Sequence, residues 1–355
     1  MKIAVIGRYG EGDIVPGPER VARELYGQFK KNDFDVTFIE YFFTGYLDYS
    51  FFKKIFGKEK KENDVLRLGV LPIIFRLLKE QYDVIHFINT QRFQIIIFTI
   101  KQFLKAKFVS SFHGLFKNET KLTNLKRSFL DLWIEKMAIS KSDFFIFPSK
   151  FLLDLFNKNY NLSKDKCIVI HNGVSEIFYN KRNHFETKKI YNFVYYHSFG
   201  KGLNDFLSKI SPQFVSPFRI FVIGKEEKLG TFNKNIQIFF VPPMTRDLLL
   251  EFLSDKDFVI KSSVFDAFPT IAIECMTMGI IPIVSEHSGI KEIINNNING
   301  FIYKDDDENL SSLLREIFDG KFNLDVISTN ASKIYKQLNW GKISKQYLSI
   351  YKSVL

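Results

Sequence analysis

Lys201, Asp266 and Glu274 are the residues of this 355-residue chain whose types and setting suit chemistry performed together. Lys201 lies in Tyr196-His197-Ser198-Phe199-Gly200-Lys201-Gly202, directly after an apolar run and ahead of a helical pattern. Gly200 and Gly202 let the backbone approach a ligand closely, and Lys201 adds a point positive charge, a combination suited to a diphosphate. The same stretch also reads as an ordinary strand-to-helix turn. Asp266 lies in Ser263-Val264-Phe265-Asp266-Ala267-Phe268-Pro269-Thr270, which runs into an expected helix N-terminus, where open N–H groups and the macrodipole favour an anion. Taken alone, Asp266 reads as a cap of that helix. Glu274 follows Thr270 by four residues in an otherwise apolar turn, so its carboxylate must be paired or hydrogen-bonded. It suits the two hydroxyls of a ribose; the alternative has it bonded to nearby backbone or turned outward.

The elements that must position these residues follow from alternation of short apolar runs with longer amphipathic ones, the pattern of βαβ units and parallel sheets. In the first half, strands are expected at Lys2–Ile6, Asp35–Ile39, Val84–Phe87, Phe108–Ser111, Phe144–Phe147 and Cys167–Ile170, with helices at Glu19–Lys30, Val65–Lys79, Gln91–Leu104 and Leu125–Ile139. The polar stretch at 180–189 has no apolar periodicity. The alternation then restarts, with strands at Asn192–Tyr196, Arg219–Ile223, Gln237–Val241, Phe258–Ile260, Ile281–Val284 and Phe301–Tyr303, and helices that include Thr270–Met278 and Gly289–Asn295. The expectation is α/β: two Rossmann-like doubly wound domains with an interdomain cleft, at 1–180 and 190–338. A linker at 181–189 joins them, and a last helix at 339–355 follows.

Composition narrows the function classes. Hydrophobic residues make up 46% and charged residues 25%, ordinary for a protein with a full core. Cys167 and Cys275 are far apart, which argues against a disulfide frame or a zinc site. The N-terminus turns to Gly7 and charge too early for a secretory signal, so a reducing cytoplasm is the expected compartment. Ala267–Ser285 has the length of a membrane span and one charge, Glu274, but Pro269, Gly279 and Pro282 interrupt it; it reads as a buried helix and strand. The net charge is +11, and residues 51–150 hold 19 Lys and Arg against 9 Asp and Glu. Nucleic acid, an anionic membrane or an acidic substrate would each account for it, as would a Lys-rich genome-wide composition. Gly7, Gly10 and Gly12 after the first strand suggest a dinucleotide site with Glu40 on the ribose, yet their spacing is G-x-x-G-x-G and not G-x-G-x-x-G. A nucleic-acid binder would explain the charge but not two acids beside Lys201.

From Asn192 to Tyr303 the order of these pieces resembles the nucleotide-sugar domain of GT-B glycosyltransferases of the retaining family-4 type, the glycosyl transferases group 1. Lys201-Gly202 answers that family's phosphate loop. Ser263, Asp266-Ala267-Phe268-Pro269 and Glu274-Cys275-Met276-Thr277-Met278-Gly279 answer its two-acid segment, with acids eight positions apart. Ser288-Gly289-Ile290-Lys291-Glu292 and Asn299-Gly300-Phe301 match its later corners. The first half agrees more loosely, through Gly17-Pro18-Glu19-Arg20-Val21, Phe112-His113-Gly114, Ser149 and Asn172-Gly173-Val174; Trp340 and Tyr351 suit the family's last helix, which returns to the first domain. Two departures stand out: the Arg of the phosphate loop is missing, with His197 or Ser198 in its neighbourhood, and Asp266 replaces a Glu.

The resemblance implies a hexosyltransferase acting from a UDP- or GDP-sugar donor onto a glycan or lipid-linked acceptor, with retention, in cell-envelope polysaccharide or glycoconjugate synthesis. A sugar-nucleotide epimerase of the same architecture is the nearest alternative. A departing diphosphate needs cations and aligned N–H groups that bind it more tightly as charge grows. Lys201 and the helix start at Phe268, Pro269, Thr270 and Ile271 are the candidates. By the resemblance Glu274 holds the ribose, Asp266 the donor-sugar hydroxyls, and His113 the donor sugar or the acceptor. His197, Ser198 and Gly202 line the donor, and the Gly17 loop faces the acceptor. No cofactor or metal is expected, and Asp305-Asp306-Asp307-Glu308 reads as a helix cap. Leu47–Asn63, rich in aromatics and Lys, reads either as a solvated insertion or as a contact with an anionic membrane at its inner face.

Overall fold

The structure, a computed structural model, describes residues 1–10, 12, 14–42, 50–61, 64–117, 128–179, 185–196, 202–224, 226, 229–230, 232–262, 265–304 and 307–355. The chain divides into two compact units. One comprises the described residues between Met1 and Asn172 together with Trp340–Leu355; the other lies within Gly173–Asn339.

The first unit is built on strands β1 (Lys2–Ile6), β2 (Asp35–Tyr41), β3 (Lys58–Lys60), β4 (Leu66–Leu68), β5 (Val84–Ile88), β6 (Lys107–Ser111), β7 (Phe144–Phe147) and β8 (Cys167–Val169). Their order is β3-β4-β2-β1-β5-β6-β7-β8, parallel except for the antiparallel β3–β4 pair. Runs such as Lys2-Ile3-Ala4-Val5-Ile6 and Val84-Ile85-His86-Phe87-Ile88 are apolar at nearly every position, as strands covered on both faces must be. Helix Gly17–Lys31 turns Val21, Ala22, Leu25, Tyr26 and Phe29 inward at helical spacing, with Pro18 in its first turn and Lys30 and Lys31 in its last. Helix Trp340–Val354 packs against it, bringing Tyr351 to Phe29 with ring centroids 5.9 Å apart.

Sequence periodicity misread three places. Val65–Lys79 is not one helix: β4 comes first, and helix Val70–Glu80 follows. The strand forms because buried Arg67 reaches Glu40 on neighbouring β2, Nη2 to Oε2 3.0 Å. Gln91–Leu104 is a shorter helix, Gln94–Thr99, followed by a 3-10 turn, and Gly289–Asn295 is a 3-10 turn at Gly289–Ile293.

The second unit has β9 (Tyr191–Tyr196), β10 (Phe218–Ile223), β11 (Ile236–Val241), β12 (Phe258–Lys261), β13 (Ile281–Ser285) and β14 (Phe301–Tyr303). The order is β11-β10-β9-β12-β13-β14, all parallel. The chain therefore moves outward from β9 in one direction, returns, and continues from β12 in the other. That makes the β9–β12 junction the topological switch point, where doubly wound sheets bind ligands at strand carboxyl ends. Phe193, Phe218, Phe258, Ile281, Ile283 and Phe301 lead its core, with Phe193 stacked on Phe258 at 4.8 Å. Ala267–Ser285 is helix Thr270–Thr277 and β13, buried at almost every residue. No helix among the described residues is long and apolar enough to cross a membrane. Of the stretch read as a linker, residues 181–184 lie outside the described residues; Phe185 lies on Phe258, and Lys188 pairs with Asp257 at 2.9 Å.

Candidate functional site

At the switch point of the second unit, the segment after β9 and the end of β12 are stitched together. His197, Ser198 and Lys201 lie outside the described residues. Gly202 is described, and opens helix Leu203–Ser208 with φ 33°. A Cβ there would lie 2.1 Å from the Ser262 carbonyl oxygen, and the Ser262 hydroxyl donates to the Gly202 carbonyl at 2.8 Å. Only glycine tolerates both the positive φ and that approach.

Beyond β12 the chain turns through Phe265–Pro269 into helix Thr270–Thr277. The turn is held by a bridge between Asp266 and Ser288 and by Gly289 N–H donating to the Asp266 carbonyl at 2.8 Å. The Asp266 side chain faces a cation that sequence reasoning passed over. Lys261, the last residue of β12, places Nζ 3.2 Å from Asp266 Oδ2, with side chains 4% and 15% exposed. Glu274 is buried on the helix. The neighbouring Cys275 thiol is pushed well up, by burial first and by the Glu274 charge, while Lys261 pulls it down. The helix starts after Pro269, with Phe268, Pro269 and Ile271 buried and Thr270 half-buried, and has no side-chain cap among the described residues. The Lys261–Asp266 pair lies among buried apolar residues, a setting costly for stability and useful for holding a charged ligand. Among the described residues no group of His, Cys, Asp and Glu is placed to hold a metal ion. Asp305 and Asp306 lie outside them, and helix Asp307–Phe318 begins just after.

The first unit has its own switch point, between β1 and β5, and a cavity of about 730 Å³ lies there. Arg8, Glu19, Asn89, Arg92 and Asp131 give it polar walls, and Tyr41 stacked on Phe93 at 4.6 Å gives it an aromatic one. Burial raises the Glu19 carboxyl, and Arg8 Nη1 stands 3.9 Å from it. Arg8 Nε is buried and finds no hydrogen-bond partner among the described residues. Arg92 grips Asp131 through Nε–Oδ1 at 2.7 Å and Nη2–Oδ2 at 3.0 Å, which holds that carboxyl low. Gly17 is the first residue of its helix, not part of a free loop, because Pro18 fixes a helical φ there; Pro18 and Glu19 carry that turn to the cavity.

His113 follows β6 and is half-buried; desolvation lowers its pKa to about 4, and its Nε2, shielded from solvent, has no partner among the described residues. His86 lies deeper, lowered to about 3 by burial and then by His113; Nε2 is 2.7 Å from the Ser111 hydroxyl and Nδ1 2.7 Å from the Tyr351 hydroxyl. Both imidazoles are neutral near pH 7. Glu40, the ribose partner of the dinucleotide reading, instead accepts from Tyr9 N–H and Gly10 N–H at 3.0 and 3.3 Å and pairs with Arg67 and Lys61. That reading loses its acid.

Residues 15–176 match the profile of Glycosyltransferase Family 4, and residues 174–334 match that of Glycosyl transferases group 1. The chain belongs to the group 1 glycosyltransferases. A glycosyltransferase of Methanocaldococcus jannaschii, MJ1607, is 22% identical over 321 residues, covering 81% of this chain and 77% of the relative. Sucrose-phosphate synthase of Thermosynechococcus elongatus superposes with a TM-score of 0.77 at 15% identity, over 99% of this chain and 98% of that one. HepE of Anabaena, in complex with UDP and glucose, gives 0.70 at 15% identity, over 99% and 100%. This glycosyltransferase has the GT-B fold of two parallel-sheet α/β domains, and it is a transferase. Sequence reading named Asp266, Glu274 and the Gly17-Pro18-Glu19 turn but passed over Lys261 and the Arg8, Arg92 and Asp131 walls of the cavity. A lysine ending an otherwise apolar strand, as in Phe258-Val259-Ile260-Lys261, was the available signal for the first.

Proposed function

We propose that this glycosyltransferase moves a sugar from a nucleotide-sugar donor, UDP- or GDP-linked, onto a glycan or lipid-linked acceptor with retention of configuration. The reading extends to cell-envelope polysaccharide or glycoconjugate synthesis on the cytoplasmic side, with peripheral contact to an anionic membrane through Leu47–Asn63. The observation that carries the donor half is the buried Lys261–Asp266 pair at the switch point of the second sheet, just ahead of the helix that carries buried Glu274. HepE, which shares the fold, is described in complex with UDP, glucose and UDP-glucose and supports that choice of donor.

Breaking the bond between an anomeric carbon and a diphosphate leaves growing negative charge on the phosphate oxygens. Groups that bind this charge in a dry, preorganised setting lower the barrier most. In this reading Lys201 and the start of helix Thr270–Thr277 meet the diphosphate. Lys261 supplies the second positive charge that the missing loop Arg leaves wanting. Asp266, oriented by Lys261, accepts hydrogen bonds from the donor sugar; Glu274 accepts them from the ribose. Gly202, His197 and Ser198 allow and line the close approach of the donor. His113, neutral and with an open Nε2, hydrogen-bonds a sugar hydroxyl and does not act as a cation.

Titration calorimetry with UDP-glucose, GDP-mannose and ADP-glucose tests the donor assignment. The parent should bind one of them, Glu274→Ala should weaken it at least tenfold, and Lys201→Ala and Lys261→Met should weaken the sugar nucleotide and the free nucleoside diphosphate alike. If the three variants bind as tightly as the parent, the site is misassigned. Product formed without any acceptor would favour an epimerase instead.

A further inference from the structure

We propose that the acceptor carries an acidic group, a carboxylate or a phosphate, which the first unit's cavity takes on the guanidinium of Arg8. The inference rests on the sugar-transfer reading and names the charge of its acceptor, which that reading leaves open.

Two arginines among the described residues wall the cavity, and they are used differently. Arg92 is satisfied along the edge formed by Nε and Nη2, where Asp131 accepts both bonds, at 2.7 and 3.0 Å. Two parallel charge-assisted bonds are the geometry in which a guanidinium holds a carboxylate or phosphate most firmly. No carboxylate among the described residues lies on the corresponding edge of Arg8. Its Nε is buried and finds no partner among them. Its ion pair runs instead from Nη1, the arm outside that edge, to Glu19 Oε1 at 3.9 Å, too long for a hydrogen bond. A buried donor on a charged group is costly to leave unmade. A ligand that brings an oxyanion to this edge supplies to Arg8 what Asp131 supplies to Arg92.

The surroundings favour an anion. Pro18 and Glu19 bring the first turn of helix Gly17–Lys31 to the same wall, so the positive end of a 15-residue helix adds to the Arg8 charge. Of the two wall carboxyls, Asp131 is neutralised by Arg92 and accepts from the Ser128 N–H at 3.0 Å. Burial raises the other, Glu19, which favours its uncharged form. The remaining walls fit a sugar and not a bare ion. The Tyr41–Phe93 stack offers a flat face for a pyranose ring, and Asn89 and Gln91 offer amides to its hydroxyls. A volume of about 730 Å³ has room for a substituted sugar.

The test is titration of the full chain, followed by saturation-transfer NMR, with hexoses of the gluco, galacto and manno series, their 6-phosphates and the matching hexuronic acids. At least one acid should bind the parent about tenfold more tightly than its neutral sugar. Preference for a hexose phosphate identifies a phosphoryl group and preference for a hexuronate a carboxylate; either result supports the proposal. Arg8→Gln should bring the acid down to the level of the neutral sugar. Arg8→Lys, which keeps the charge without the two-pronged edge, should recover only part of the difference. Acids that bind the parent no better than neutral sugars, or silence across the whole panel, would overturn the proposal however the variants fold. So would an Arg8→Gln variant that keeps the preference. A variant with the parent's unfolding midpoint that loses nucleotide sugar as much as acid would also overturn it, since Arg8 would then serve the donor. The sugar-transfer reading fails separately: the parent would bind no nucleotide sugar while its preference for the acid stood.

Discussion

Buried His86 and half-buried His113 tie the protonation of two side chains to the folding of the first unit. Their pKa values, about 3 and about 4, lie below the ordinary 6.5 because burial disfavours the charged ring. An unfolded chain takes up protons on both rings as pH falls through 6.5, whereas the folded unit does so only near the depressed values. Stability is therefore fully present above pH 6.5 and lost as pH falls from there toward 4 and then 3. The whole loss is on the order of 3 kcal/mol for His113 and somewhat more for His86. Urea unfolding should show a lower midpoint at about pH 5 than at about pH 7, and His113→Asn should flatten that slope. An unchanged midpoint between the two pH values would mean that the rings are not buried. Sequence alone offered His113 as a residue after a strand and gave no hint of His86, since a histidine inside an apolar strand shows its Tyr351 partner only once the last helix has returned.

At the scale of elements, legibility followed length. The long parallel strands and helix Gly17–Lys31 were readable because each carries a full apolar period. β4 was not: three residues hold no period, and what makes them a strand is a buried ion pair to Glu40, 27 positions earlier in the chain. The same limit hid Lys261, whose role depends on a chain reversal bringing Asp266 back to it, and the Arg92–Asp131 pair, 39 positions apart. Removing one member of a buried pair costs on the order of 3 kcal/mol, more than the pair contributes as a whole. Arg67→Leu should therefore lower the unfolding midpoint sharply, though Lys61 keeps Glu40 partly compensated. The Glu40→Gln/Arg67→Met double variant should be less damaged than the sum of its parts. Strict additivity in that cycle would show that the two side chains do not interact.

For the whole molecule, the division into units predicts unequal sensitivity to loss of the last helix. Deleting residues 340–355 strips the Tyr351 hydroxyl from His86 and the Tyr351 ring from Phe29. Limited proteolysis of such a variant should degrade the first unit rapidly while a fragment near Gly173–Asn339 persists, and equal loss of both would contradict the assignment. The GT-B architecture was legible because two runs of βαβ alternation bracket a polar stretch. The walls of the first unit's cavity were not, because they come from seven separate stretches of chain.

The return of helix Trp340–Val354 to the first unit also sets an order of events during synthesis. Domains usually mature from the N-terminus as the ribosome advances. Here the unit that begins the chain stays open at helix Gly17–Lys31 until its final segment has been made, whereas the later unit is encoded without interruption. The nascent protein therefore carries an unfinished first half past a second half able to mature before it, and that first half is the one to which chaperones would have access longest.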